Sequence, residues 1–112
     1  MATSRSELRD LWNHFNQRGD LPIIRFNRNV AILASLGGSG SCGVRLHDLR
    51  LNRVRKVVVA RLYGVDPGEG AGCTDDYVLY TFTVAVSRAD LEPLTPDDLR
   101  VRRREIADPD PG

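Results

Sequence analysis

The chain has 112 residues and a formal net charge of +1, from 16 basic and 15 acidic side chains. That length suits one domain and is short for two; it buries roughly two-thirds of the surface of the unfolded chain, enough to fold without a metal or a staple. The near-neutral balance creates no global field toward nucleic acid or an acidic membrane, and no apolar run is long enough to span a bilayer.

The opening segment has helical periodicity. Leu8, Leu11, Trp12 and Phe15 fall at i, i+3, i+4 and i+7, with Arg9, Asp10, Asn13 and Asn16 on the other side. Ser4 with Glu7 forms a capping-box pattern and Gly19 stands where a left-handed terminator fits, so the spacing predicts a helix from about residue 5 to 17. Trp12 and Phe15 anchor it to a sheet.

After Asp20 the pattern turns to β. Leu21–Phe26 is predicted as a short extended run with Pro22 at an edge or entry, Asn27–Asn29 as a turn, and Val30–Leu36 as a compact apolar strand. Beyond the Gly37–Gly43 loop, Val44–Leu51 is a strand joined through Asn52-Arg53 to Val54–Tyr63, whose Val57-Val58-Val59 centre is β-branched. Gly64–Asp76 is a second loop, with a turn at Asp66-Pro67-Gly68. In Tyr77–Val86, residues Val78, Tyr80, Phe82, Val84 and Val86 share one face, and Thr81 and Thr83 share the other. Periodicity is lost after Ser87: Thr95-Pro96-Asp97-Asp98 suggests a helical turn, and the Arg100–Arg104 cluster with Asp108-Pro109-Asp110-Pro111-Gly112 is expected to be a mobile tail.

Cys42 and Cys73 are the only cysteines, each set in a glycine-rich loop. A bridge between them would add about 3–4 kcal/mol through loop-closure entropy and would place the chain in an oxidising compartment. Met1–Asp10 carries charges and no apolar signal core. Two expectations follow: an extracytoplasmic chain (secreted, periplasmic or at the cell surface) if it is a mature fragment with an added Met, or a cytoplasmic one with reduced thiols.

Residue chemistry gives little support to catalysis. His14 and His47 stand apart, with no zinc-ligand spacing, so no metal site and no cofactor are expected. The Gly37–Gly43 stretch lacks the lysine of a P-loop and precedes a strand rather than a helix. Asp66, Glu69, Asp75 and Asp76 do not have EF-hand spacing. Arginines 100 to 104 have no interleaved aromatics and are balanced by nearby acids, which keeps nucleic-acid binding through this tail a third reading and leaves nucleic acid outside the expected partners.

The helix with Leu11-Trp12, the segment Leu21-Pro22-Ile23-Ile24-Arg25-Phe26, the strand Val30–Ala34, the Gly37–Val44 loop, and Pro67-Gly68 before Tyr77–Val86 together resemble the PrcB C-terminal domain family. The likeness covers roughly residues 5 to 90, leaving 91–112 as an extension. It implies a non-enzymatic accessory module that supports a bacterial surface protease complex, with the two cysteines an addition to the family pattern. The expected fold is α+β, with the helix packed on an antiparallel sheet or small sandwich of about five or six strands. The expected partner is a protein, a protease of such a complex on the family likeness, contacted through Gly38, Ser39, Gly40, Ser41, Thr74, Asp75 and Asp76. The alternative is a small inhibitor whose disulfide-braced loop at Cys73–Asp76 fills a protease cleft.

Overall fold

A computed structural model describes residues 1–111. Helix α1 (Arg5–His14) is followed by β1 (Asn29–Gly38), β2 (Val44–Asn52), β3 (Val57–Gly64), β4 (Val78–Ser87), the short α2 (Arg88–Leu91), a 3-10 turn at Pro96–Asp98 and β5 (Arg100–Glu105). The fold is α+β. Strands β1 and β4 pair antiparallel in one sheet; β2, β3 and β5 form a second in that order, with β2–β3 antiparallel and β3–β5 parallel.

Helix α1 starts where the sequence indicates. The Ser4 hydroxyl accepts from the Glu7 N–H at 3.1 Å, while the Glu7 carboxylate reaches one residue further back and accepts from the Thr3 N–H at 2.8 Å. Its end comes earlier than expected. Asn16 takes the left-handed conformation, φ 55°, and the bonds Gln17 N–H to Trp12 C=O and Asn16 N–H to Asn13 C=O complete a Schellman motif, so Gly19 is not the terminator.

The β1–β4 sheet is the middle of three layers, which explains why Val30–Leu36 is apolar without alternation. Val30, Ile32, Ala34 and Leu36 face the second sheet, against Val58, Ala60 and Leu62 of β3. Ala31 and Leu33 face the opposite way, against Leu8, Leu11, Trp12 and Phe15. A strand buried on both faces needs a continuous apolar run. The small Ala31 lets the N-terminal segment close in, where Ala2 and Ala31 exchange both backbone hydrogen bonds at 2.8 and 2.9 Å.

Three sequence expectations are corrected. Leu21–Phe26 is not a strand: Leu21, Ile24 and Phe26 pack beneath β1 as irregular chain, held where Arg88 donates to the Phe26 carbonyl at 2.9 Å. The β2–β3 turn is four residues, Arg53–Lys56, closed by the Asn52 side chain accepting from the Arg55 N–H and by Lys56 at φ 55°, which leaves Val54 92% exposed outside the strand. The segment after residue 90 is not a mobile tail up to residue 106. Leu91 and Leu99 enter the core beside Val30 and Val58, β5 pairs along β3, and the Ile106 N–H bonds the Leu62 carbonyl.

Candidate functional site

The β1–β2 loop (39–43) and the β3–β4 loop (65–77) meet at one end of the molecule. Cys42 and Cys73, 31 positions apart in sequence, are joined by a disulfide. Around it the loops are cross-bonded. The Gly40 N–H donates to Asp76 Oδ1 at 3.0 Å, the Thr74 N–H to Ser41 Oγ at 2.9 Å, and the Ser41 N–H to Thr74 Oγ1 at 3.2 Å. The Thr74 hydroxyl donates to Asp76 and lies 3.0 Å from the Ser39 hydroxyl. From below, the Tyr80 hydroxyl donates to the Ser39 carbonyl at 2.9 Å.

The glycines admit this closure. A Cβ on Gly40 would collide with the Asp76 carboxylate, and one on Gly37 with the ring of Tyr77. Donation from Thr74, then from the Gly40 backbone, lowers the Asp76 pKa, so its carboxylate stays charged and acts as a fixed acceptor. The network thus joins Ser39, Gly40, Ser41, Thr74 and Asp76 in one exposed surface. Gly38 belongs instead to β1, opposite Val78, and Asp75 is exposed and takes no part in the network. Tyr77, 77% exposed, adds an aromatic ring to the platform beside Gly37 that composition and motif did not single out.

The hydroxyls here have no imidazole to activate them. His14 contacts Phe15 at the end of α1, and His47 contacts Tyr63 between β2 and β3, with ring centroids 5.4 and 6.3 Å apart. Among the described residues no three His, Cys, Asp or Glu side chains gather in a metal-holding group, and no helix is long and apolar enough to cross a membrane. The surface offers hydrogen-bonding groups at fixed positions and one aromatic ring.

The arginines of the C-terminal segment are spread differently. Arg103 turns to the open edge of β1 and donates to the Ser35 carbonyl at 2.9 Å, whereas Arg100, Arg102 and Arg104 stand on the outer face of the second sheet. The signal for this was the alternation in Arg100-Val101-Arg102, obscured by two further arginines in sequence. No family model, curated protein or solved structure matches this chain.

Proposed function

We propose that this chain is a non-enzymatic protein-binding module that works outside the cytoplasm and presents its clipped loop pair to a protein partner. The observation that carries this reading is the cross-bonding of two exposed loops by the Cys42–Cys73 disulfide and by Ser41, Thr74 and Asp76. Loops fixed before contact lose less conformational entropy on binding. A disulfide persists in oxidising compartments and is rare in the cytosol, which supports the extracytoplasmic placement. Support of a protease complex is what the likeness to the PrcB C-terminal domain family implies for the partner.

A second reading is favoured by the exposure of Cys73–Asp76 beside the bridge: the same segment inserted into a protease cleft would inhibit it. One assay separates the two. The disulfide-bonded protein is added at stoichiometric amounts to proteases from the cell envelope of its source, and initial rate and half-life are followed. A longer half-life at unchanged rate is expected for the accessory role; a rate that falls to zero at equivalence establishes inhibition, and no effect on either quantity across the panel refutes both.

A further inference from the structure

The outer face of the β2-β3-β5 sheet carries a trough whose residues follow directly from strand register. Val57 stands opposite Arg100, Val59 opposite Arg102 and Arg61 opposite Arg104; on the other side Asn52 pairs with Val57, Arg50 with Val59 and Asp48 with Arg61. Two hollows of about 530 and 430 Å³ join over Asn52, Val59 and Arg104. One wall is Arg100, Arg102 and Arg104 of β5, and the other is Arg50, Arg53 and Arg55 of β2 and its turn. Among the described residues no carboxylate lines either hollow. Asp48 sits at the end of the row, where it accepts from Arg61 Nε at 2.6 Å and lies 3.4 Å from Arg50. Arg53 is tied down by donation to the carbonyls of Asp90 and Glu92 at 3.0 and 3.1 Å, which leaves its charge uncompensated. A chain with net charge +1 has therefore gathered seven of its 16 basic residues along one trough.

We infer that this trough binds a single-stranded nucleic acid along its phosphodiester backbone, a function separate from the loop platform. Four features favour that ligand. Alternate residues on β5 set successive guanidiniums about 6.6 Å apart along a line, a repeat on the order of the step between phosphates in an unstacked strand, and guanidinium matches phosphate oxygens in a bidentate manner. The walls rise over a floor of Val57 and Val59, so the surface is concave and suits a chain lying in it better than a bilayer lying on it. Strand β3 is the centre of its sheet, with both edges paired, and gives an acidic peptide no backbone ladder to join. Beyond Arg61 on the same face is Tyr63, its ring against His47, which provides a surface for stacking a base. The hollow that Tyr63 lines on its far side holds Asp66, Asp108 and Asp110 against the single Arg45, and this net negative charge ends the phosphate track.

The test is fluorescence anisotropy of a labelled oligothymidylate of about 12 nucleotides with the full disulfide-bonded chain. With about four phosphates neutralised, the affinity is expected to fall about 50-fold between roughly 50 and 200 mM salt. The triple variant Arg100→Ala/Arg102→Ala/Arg104→Ala is expected to reduce the slope of log K against log salt by about 2, and Arg102→Glu alone to weaken binding should the triple variant fold poorly by circular dichroism. Arg9→Ala, on α1, is expected to change nothing. Tyr63→Leu is expected to weaken the oligothymidylate but not an abasic phosphodiester of equal length. The inference is overturned by no binding at the lower salt, by unchanged binding in the Arg102→Glu variant, or by tighter binding of polyglutamate or phosphatidylglycerol vesicles at equal charge.

Discussion

Removing the disulfide should cost a calculable share of stability. Cys42 and Cys73 are 31 residues apart, and closing a loop of that size in the unfolded chain corresponds to about 3.7 kcal/mol at room temperature. For a chain of 112 residues the entropy of unfolding near the midpoint is about 0.24 kcal/mol per degree, so the Cys42→Ser/Cys73→Ser variant is expected to melt about 15 °C below the native protein. The cross-bonds of Ser41, Thr74 and Asp76 stay available in that variant, so its far-ultraviolet circular dichroism before melting should be unchanged. Thermal unfolding of the native, reduced and double-serine proteins checks both points. A fall of less than about 5 °C would refute the reasoning, because it would mean that closing the loop in the unfolded chain contributes little.

Other outcomes follow from single residues. Leu8→Ala removes a fully buried side chain from the contact of α1 with β1, and chemical denaturation should show a loss of about 2–4 kcal/mol. Thr74→Val deletes the hydroxyl that Ser41 N–H and Asp76 share, and should cost about 1 kcal/mol while hydrogen exchange quickens at the Ser41 and Gly40 amides. Asp48 is held at a pKa of about 2, first by the hydrogen bond from Arg61 and then by its charge and by Arg50. Because the folded value lies below the usual carboxylate range, the contribution is complete above about pH 5 and is lost as pH falls through 4 toward 2. Discounted for its partial exposure it is about 1 kcal/mol, and Asp48→Asn should remove that part of the acid sensitivity when unfolding is followed across this range.

What the sequence made legible was what local periodicity encodes. The helical stripe of Leu8, Leu11, Trp12 and Phe15 and the run Val30–Leu36 each contain enough apolar residues to mark an element and its buried side, and the alternation of Val78–Val86 marks a strand, although that strand stays half-buried and Val78 is exposed. Strand β5 does not. Arg100–Glu105 has one apolar residue, Val101, and is extended because it pairs with the edge of β3 that β2 leaves open and because Leu99 and Ile106 fix its two ends. Parallel pairing over more than 40 positions leaves no local mark. The end of α1 is not legible for a different reason: Asn16 adopts the left-handed conformation more often given to glycine, while Gly19 stands only three residues later. At the loop platform the two cysteines stood out among glycines, but the pairing of Ser41 with Thr74 and of Gly40 with Asp76 depends on how the loops meet. The arginine trough was hidden because its walls come from residues about 50 apart, and a near-neutral total charge concealed a strongly basic face.

The claim that the clipped loops are the partner-binding surface is tested most directly by photo-crosslinking in the native cells. A photoreactive residue is placed at Ser41 or at Asp75, on the platform, and for comparison at Ser6 on the exposed side of α1. A discrete covalent adduct of one size from Ser41 and Asp75, absent from Ser6, is the expected result. An adduct from Ser6 alone, or none from either loop position, would contradict it.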